Sequence, residues 1–512
     1  MPRHAGLAGL AGLAGLAGAA LALTLPKAGL CFLGWAAPGV LILLARRSDV
    51  RRAAVLGLVF GLAFAGTALH WIYLTCRFAA VPVPAALLAW GALSAVLAVN
   101  WALFAAAGRA LTARLPEAAG PWVWALCWTA LEHASLRWTP RLGADQLAYT
   151  QWSHPALLQV GALAGPHALG FALVAFNAAW AGVVLALEPG ARPRRQAMAG
   201  LCFASGLVVI CAGYGFFSLA ERAAFLAAAH RGPTAVVLQP NVDQYRKWEE
   251  SSADEIRATF EGFLERPAGP RALVVWPESS LPGWLDDEEN AAWLGALARR
   301  AGAPMVVGAV VRVGEKRHNA AVLIDAAGTP VGLYAKRRLV PFGEFVPLRR
   351  WLEPFIGILA QMGDFDAGAP AQPLFQTPLG PAAANLCYEA VFPRLALADA
   401  ARGARVLLNL TNDGWYKDTW GPAQHFQTNA FRAVETRTTV VRAANTGISG
   451  VLDPWGLVVA SAPVMTAGRL DVPLPLEDPF PRGSPYSRSG DWLGLGSIAA
   501  VAALAGLALR RA

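Results

Sequence analysis

The sequence predicts two structural parts, a bundle of about eight membrane-spanning helices and an aqueous α/β domain. Of the 512 residues, 55% are hydrophobic and only 15% are charged, whereas soluble domains carry about 25% charged residues. Residues 5–220 and 491–509 are almost continuously apolar, while residues 231–485 have an ordinary globular composition. We therefore predict a seven-span region over 1–220, an aqueous domain over 231–485 and a C-terminal membrane helix over 491–509.

The membrane spans are predicted from segment length, because a helix needs about 20 apolar residues to cross a bilayer. The fifth span is the least apolar, since it contains Glu132 and His133. The first contains the repeat AGLAGLAGLAGLAG, whose small residues favour close packing against another helix. The predicted spans are 5–25, 28–45, 53–76, 83–108, 120–137, 156–187, 197–219 and 491–509.

The basic residues predict the orientation of these spans. With the N-terminus in the cytoplasm, the cytoplasmic segments contain 12 arginines, and the outer loops before the large domain contain four basic residues. Cytoplasmic loops normally carry the excess of Lys and Arg. We therefore predict that both termini lie in the cytoplasm and that residues 231–485 lie at the outer face of the membrane, which in a bacterium with two membranes is the periplasmic face of the inner membrane.

The net charge of +9 does not indicate a nucleic-acid partner. Many of the basic residues form short clusters between apolar runs, as orientation signals do. The sequence contains no zinc-ligand spacing, no Walker loop and no GxGxxG motif that opens a helix. The six cysteines show no disulfide framework.

The aqueous domain is predicted to be a layered α/β structure with a mixed sheet, because β-rich runs alternate with helical stretches. AAVLIDAAGTPVGLYAK and SGVLDPWGLVVAS are typical of hairpins with Gly in the turn. SADEIRATFEGFLERP, with Ser252 as its expected N-cap, and AQHFQTNAFRAVETR have the apolar spacing of amphipathic helices. The predicted strand segments are 234–239, 272–278, 304–311, 320–336, 382–389, 405–413 and 438–447.

Polar residues stand at the ends of three of these strands. Glu278 follows a strand and a proline in VVWPESSLP, and Lys336 ends a strand in YAKRRLVPFGEFVP. Cys387, in NLCYEAVFP, is the only cysteine of the last 300 residues. Each of these three residues could have a purely structural role, because a buried cysteine is usually inert packing and the two charged side chains could simply be exposed to solvent. Taken together, they indicate a reactive site.

The chemistry of these residue types supports that interpretation. A thiol needs a nearby base or positive charge to react as thiolate near neutral pH. A carboxylate can accept its proton, and an ammonium group can stabilise the oxyanion that forms when a carbonyl is attacked.

The motifs WPES, YAK and CYE, in this order, resemble the nitrilase (carbon–nitrogen hydrolase) superfamily, whose Glu-Lys-Cys trio lies on an α-β-β-α sandwich. The fuller pattern is more specific: LQPNVDQYRKW, VWPES, YAKRRLVPFGEFVP, NLCYE and NLTNDGWY, with seven spans before it and one after. It resembles the apolipoprotein N-acyltransferase family of Gram-negative bacteria over essentially the whole chain.

The resemblance implies a role for each matching residue. Glu278 would be the general base, Lys336 would stabilise the oxyanion and Cys387 would be the nucleophile. The remaining matches are supporting or substrate-binding positions, namely Trp248, Glu344, Tyr388 and Glu389.

The resemblance also implies the reaction and its partners. A fatty acyl chain from the sn-1 position of a membrane phospholipid would pass through a thioester on Cys387 to the N-terminal amine of diacylglyceryl-cysteine in an apolipoprotein. No cofactor or metal is expected, and the family suggests a monomer.

Two other functions fit part of the pattern. A membrane-anchored amidase of the nitrilase type would use the same trio but would not need eight spans. A transporter or scaffold would favour charges inside the membrane, and the first four spans contain almost none. An acyl thioester on Cys387 would distinguish the acyltransferase from both.

Overall fold

In the computed structural model, the residues described are 6–136, 146–189, 194–228, 230–244, 250–347, 349–352, 364–476 and 483–510. The chain forms two compact units. The first consists of residues 1–222, 419–435 and 484–512, and the second of residues 223–418 and 436–483. The segment 419–435, which the sequence places within the aqueous domain, therefore groups with the predominantly apolar helices.

The first unit is helical. Its helices are α1 (Leu7–Ala22), α2 (Ala37–Arg46), α3 (Val50–Ala68), α4 (His70–Phe78), α5 (Val83–Thr112), α6 (Gly120–Ser135), α7 (Pro155–Leu158), α8 (Gly161–Ala164), α9 (Pro166–Ala186), α10 (Arg194–Ala228), α15 (Gly421–Thr436), α16 (Pro485–Ser489) and α17 (Trp492–Arg510), with the last residues of α10 and α15 crossing into the second unit.

Four helices among the described residues, α3, α5, α9 and α10, are long and apolar enough to cross a membrane. The other apolar helices are shorter, so the count of eight spans stays a prediction. The predicted span 156–187 is not one helix, because Gly165 has a φ of +67° and Pro166 begins α9. The predicted span 28–45 is likewise interrupted, by a 3₁₀ turn over Cys31–Trp35.

The small-residue repeat in α1 packs against α3 most closely at Gly18, while a Cβ on Gly15 would lie 3.6 Å from Val59 Cγ1 of that helix. A Cβ on Gly18 would lie 2.1 Å from the carbonyl oxygen of Phe60 in α3, so the two backbones touch there. Gly9 and Gly12 have no heavy atom within 4 Å of the same position. The predicted packing is therefore found at the C-terminal end of the repeat.

The polar residues of the fifth predicted span lie in the interior of the first unit. His133 Nδ1 and His167 Nδ1 lie 2.5 Å and 2.8 Å from Asp491 Oδ2, just before α17. The backbone N–H of Leu147 donates to Glu132 Oε1 (2.8 Å). Buried polar groups in apolar bundles are stable only when they are paired in this way, so these contacts connect α6, α9 and α17.

The second unit contains two six-stranded sheets. Their strands are β1 (His230–Gln239), β2 (Ala272–Val275), β3 (Met305–Val313), β4 (Lys316–Ile324), β5 (Pro330–Ala335), β6 (Phe375–Thr377), β7 (Gly380–Leu386), β8 (Val406–Thr411), β9 (Thr439–Ala444), β10 (Gly450–Leu452), β11 (Val458–Ser461) and β12 (Gly468–Leu476). The first sheet has the strand order β12-β1-β2-β3-β4-β5, and the second has the order β11-β10-β9-β8-β7-β6.

The two sheets bury one apolar layer between them, to which both contribute: Val237 and Val275 from the first, Leu408 and Val441 from the second. A second apolar layer lies between the other face of the first sheet and two helices. The helices of this unit are α11 (Ala253–Phe263), α12 (Glu288–Ala301), α13 (Arg349–Leu352) and α14 (Pro393–Ala401).

Local sequence explains several of these elements. Helix α12 begins with Glu288 and Glu289, ends with two arginines and stops at Gly302, whose left-handed conformation (φ +61°) is typical of a helix C-terminus. Both predicted hairpins are confirmed, as β4–β5 and β10–β11. Ser252 precedes α11 as predicted, but its side chain makes no capping hydrogen bond.

Candidate active site

The predicted site residues follow three different strands of the second unit. Glu278 comes three residues after β2, Lys336 directly after β5 and Cys387 directly after β7. The fold brings the first two into direct contact, because Lys336 Nζ donates to Glu278 Oε1 (2.8 Å). Lys336 Nζ also donates to Glu344 Oε1 (2.8 Å). One ammonium group thus binds two carboxylates.

Gly308 in β3 allows Glu278 to reach this position. A Cβ on Gly308 would lie 2.2 Å from the carbonyl oxygen of Pro277 and 2.6 Å from the Cα of Glu278. The backbone N–H of Ser280 donates to the Gly308 carbonyl (2.8 Å), which holds the Glu278 segment against the sheet. Only glycine permits so close an approach.

Both oxygens of Glu278 accept hydrogen bonds. Oε1 accepts from Lys336 Nζ and from Asn319 Nδ2 (2.8 Å each), and Oε2 accepts from the backbone N–H of Asn412 (3.0 Å). Glu344 has a similar environment, because its Oε2 accepts from the backbone N–H of Val340 (2.8 Å). Three N–H donors therefore converge on each of these two carboxylates.

Lys336 is held as an ammonium ion. Its side chain is 1% exposed, and burial by itself would lower its pKa. The nearby charges of Glu278 and Glu344 have the larger combined effect and raise the pKa well above its ordinary value. Lys336 therefore stays positively charged across the neutral range.

Cys387 is buried and lies in a strained backbone conformation. Its φ is +46°, a region that residues other than glycine seldom adopt. Strand β7 ends at Leu386, and Cys387 begins a 3₁₀ turn (Cys387–Val391), so the strand predicted to reach residue 389 stops earlier. This turn carries the thiol out of the line of the strand.

The surroundings of Cys387 favour the protonated thiol. Burial raises the pKa of the thiol most, and the negative charge of Glu278 raises it further. The positive charge of Lys336 and a hydrogen bond with the Thr411 hydroxyl lower it, but by less. A nucleophilic attack by Cys387 therefore has to be coupled to the removal of its proton.

Glu389 joins the segment of the cysteine to that of the lysine. Its Oε2 accepts from the Leu386 N–H and the Tyr334 hydroxyl (2.7 Å each). Its Oε1 accepts from the backbone N–H groups of Arg337 (2.7 Å) and Arg338 (3.0 Å). Burial raises the pKa of Glu389, although these hydrogen bonds act in the opposite direction. Glu389 thus holds the chain on both sides of the candidate site.

Of the two remaining predicted residues, Tyr388 and Trp248, only Tyr388 lies in the part of the chain that the structure describes. Tyr388 is half-buried, and its ring packs edge-to-face against Phe392, with 5.0 Å between ring centroids. Trp248 lies outside the described residues.

A second buried charge pair was not predicted from the sequence. Arg442 Nη2 donates to Asp413 Oδ2 (2.7 Å), and both side chains are fully buried. Asp413 also accepts from the Thr411 hydroxyl (3.1 Å), and its negative charge contributes to the raised pKa of Cys387. The signal in the sequence was NLTND, a run rich in polar residues that begins inside the apolar strand β8 and ends just after it.

Asn319 was also missed. It is a buried polar residue of β4, at the point where the polar start of the strand gives way to an apolar run, and its side chain reaches both carboxylates of the cluster. An amide directly before that apolar run was the available signal, since a buried polar group must have a partner.

Comparisons with known proteins agree with this architecture. A family model described as carbon-nitrogen hydrolase matches residues 238–478, and one described as apolipoprotein N-acyltransferase N-terminal domain matches residues 17–179. An apolipoprotein N-acyltransferase of Geobacter metallireducens is 33% identical over 505 residues, which cover 96% of this chain and 94% of the relative. The relative of the same name in Methylococcus capsulatus is 31% identical, with coverages of 88% and 86%.

Among solved structures, an amidase from Nesterenkonia sp. is 21% identical, with a TM-score of 0.33, over 48% of this chain and 93% of that chain. The match to the carbon–nitrogen hydrolase model shows that the two sheets form a nitrilase-like fold. The apolar helices and the full-length relatives make the chain a multi-pass protein of the bacterial inner membrane.

Proposed function

Because the chain belongs to the apolipoprotein N-acyltransferase family, we propose that it moves a fatty acyl chain from the sn-1 position of a membrane phospholipid to an apolipoprotein. The acceptor is the N-terminal amine of a diacylglyceryl-cysteine, and the product is a mature triacylated lipoprotein. The observation that supports this best is the buried cluster of Glu278, Lys336 and Glu344, in which the charges of Glu278 and Lys336 act on the thiol of Cys387.

In the first half-reaction, Cys387 Sγ attacks the sn-1 ester carbonyl and gives its proton to Glu278. The carbonyl oxygen becomes an oxyanion, which the Lys336 ammonium stabilises. The ester C–O bond then breaks, and the leaving alkoxide takes the proton from Glu278. A lysophospholipid departs, and the acyl chain remains as a thioester on Cys387.

In the second half-reaction, the amine of the apolipoprotein attacks the thioester carbonyl and gives a proton to Glu278. When the C–S bond breaks, the sulfur takes that proton, and the thiol is restored. The same base and the same ammonium group serve both steps, since each passes through a tetrahedral oxyanion. Two covalent steps let one nucleophile serve two lipid substrates in turn.

A membrane location suits this chemistry. Moving an acyl chain wholly into water costs about 0.8 kcal/mol for each CH₂ group, so an enzyme that meets its lipids at the bilayer avoids most of that cost. We propose eight spans, cytoplasmic termini and a periplasmic catalytic domain over 231–485, as the distribution of arginines indicates.

The test is the intact mass of the purified protein after incubation with phospholipid and no acceptor. We expect a mass gain of one fatty acyl chain that hydroxylamine removes, because hydroxylamine cleaves thioesters. Cys387→Ala should show no gain. Cys202→Ala, which changes an exposed cysteine of α10, should gain mass like the wild type.

A wild-type protein that never gains this mass would contradict the acyl-enzyme mechanism and favour the amidase alternative. Release of ammonia from small amides would then be the activity to measure. If Cys387→Ala gained the same hydroxylamine-sensitive mass, the nucleophile would be another residue.

A further inference from the structure

Asn319 lies directly between the two carboxylates of the candidate site. Its Nδ2 atom donates to Glu278 Oε1 (2.8 Å) and to Glu344 Oε1 (2.6 Å). These are the same two oxygen atoms that accept from Lys336 Nζ. Two nitrogen donors and two carboxylate oxygens therefore alternate in a closed ring, in which Asn319 is the uncharged donor.

The backbone fixes this amide beside the lysine. Strands β4 and β5 are antiparallel, and Ala320 pairs with Ala335. Asn319 and Lys336, the next residue on each side of this pair, therefore lie opposite each other. The backbone N–H of Lys336 donates to the Asn319 carbonyl oxygen (2.8 Å). The side-chain Oδ1 of Asn319 lies 3.4 Å from the Ser279 hydroxyl, which assigns Nδ2 to the side of the carboxylates.

The amide solves an electrostatic problem. The two carboxylates repel each other, and one ammonium ion cannot neutralise both. An asparagine supplies one N–H bond to each oxygen and adds no charge. An ammonium group has three N–H bonds, and Lys336 uses two of them on Glu278 and Glu344.

We propose that Asn319 is a positioning residue, whose amide holds Glu278 and Glu344 on two sides of Lys336 so that the third ammonium N–H points to the oxyanion of each half-reaction. This inference rests on the proposed acyl transfer. It assigns to Asn319 a role in orienting the ammonium group of Lys336 and in holding Glu278 where it can accept a proton.

The principal test is Asn319→Asp, which keeps the shape of the side chain but replaces the N–H donors with a carboxylate. We expect the rate constant of acyl-enzyme formation to fall about 100-fold, with the KM for the phospholipid changed less than about threefold. Hydrogen bonds to a carboxylate favour its charged form. Their loss, together with an added negative charge, should move the acid limb of the pH–rate profile to higher pH.

Asn319→Ala separates the two contributions, because it removes the donors and adds no charge. Its acid limb should move in the same direction but less far, so the expected order is wild type, Asn319→Ala, Asn319→Asp. A purely structural asparagine would lower the thermal midpoint and leave the pH–rate profile where it is.

Asn290→Ala is the matched control. Asn290 is a buried asparagine of the same unit, and its Nδ2 donates to the carbonyl oxygens of Pro282 and Trp284 (2.8 Å each). We expect this variant to lose stability but to keep the wild-type rate within about threefold and the wild-type pH limb. The proposal is overturned if both Asn319 variants behave like Asn290→Ala.

A second measurement separates this inference from the proposed function. Alkylation of Cys387 by iodoacetamide needs no lipid and senses the same charges. Asn319→Asp should slow it about tenfold at pH 8, because an added negative charge raises the pKa of a thiol further. If the wild type forms no acyl-enzyme, the proposed acyl-transfer function fails. If Asn319→Asp leaves the alkylation rate of Cys387 unchanged, the positioning role of Asn319 fails.

Discussion

Two of the buried charge clusters that the structure describes in the second unit differ in their balance. In one, the Arg442 guanidinium pairs with the carboxylate of Asp413, and its other nitrogens donate to Asn409 Oδ1 and to the Ile448 carbonyl oxygen. In the other, the Lys336 ammonium faces two carboxylates and makes hydrogen bonds to both.

The difference separates a structural ion pair from a reactive one. Arg442 and Asp413 neutralise each other, and the planar guanidinium uses several fixed donors at once. The lysine cluster carries one more negative than positive charge, which provides a base beside the cation. Burial increases the strength of both interactions, but only the unbalanced cluster offers both a proton acceptor and a cation for an oxyanion.

Lys336→Met should give the largest effect. It removes the cation that stabilises the oxyanion and leaves two buried carboxylates without a charge partner, so acyl-enzyme formation should fall by about 10³-fold or more. Intact mass against time measures this rate. Lys316→Met is the control, because Lys316 is exposed at the start of β4, and it should keep the wild-type rate. A Lys336→Met variant within tenfold of the wild type would contradict the assigned role.

Arg442→Met should affect stability more than chemistry. It removes the guanidinium that pairs with the buried Asp413, at a cost of about 3–5 kcal/mol, which corresponds to a loss of about 6–20 °C in the thermal midpoint. Adding Asp413→Asn should recover part of this loss, because it also removes the buried carboxylate that Arg442 balances.

The matching double variant at the lysine cluster, Lys336→Met with Glu344→Gln, should recover stability but not activity. Thermal unfolding in detergent, followed by tryptophan fluorescence, measures the stabilities. If the variant with Lys336→Met and Glu344→Gln regained acyl-enzyme formation, the contrast between the two clusters would be wrong.

The pH dependence of Cys387 alkylation should give a smaller effect that sharpens the comparison, because this thiol senses both clusters. Burial and the charges of Glu278 and Asp413 raise its pKa, and Lys336 lowers it by less. A raised pKa means that the protonated form persists to higher pH. The rate with iodoacetamide should therefore rise about tenfold per pH unit from pH 7 to pH 9.5 without a plateau.

A free peptide with the sequence AAANLCYE is the reference. Its thiol should show the ordinary pKa of about 8.5, and its alkylation should level off above that pH. A plateau below pH 9 for the folded protein would show that Lys336 outweighs the two carboxylates at the thiol.

Much of the fold followed from local patterns in the sequence. The runs of β-branched and apolar residues predicted the strands, and the glycine turns predicted both hairpins, because these features depend on near neighbours. Helix interruptions were less evident. The break before Pro166 lies inside an apolar run, and hydropathy alone does not reveal it.

The residue types of the candidate site were also determined by the sequence. The motifs around Glu278, Lys336 and Cys387 point to their chemistry, although 58 and 51 residues separate them. Glu344 and Glu389 were expected to support them, and the structure places one on the lysine and the other between two backbone segments.

Only the tertiary structure decided how these groups meet. Which strand ends lie side by side depends on sheet order and register, and the pairing of Ala320 with Ala335 is what brings Asn319 to the lysine. The balance of each cluster, one cation with one carboxylate or with two, is likewise a property of packing. A sequence specifies which side chains can carry charge, but their separation and burial, which set the strength of electrostatic interactions, exist only in the folded chain.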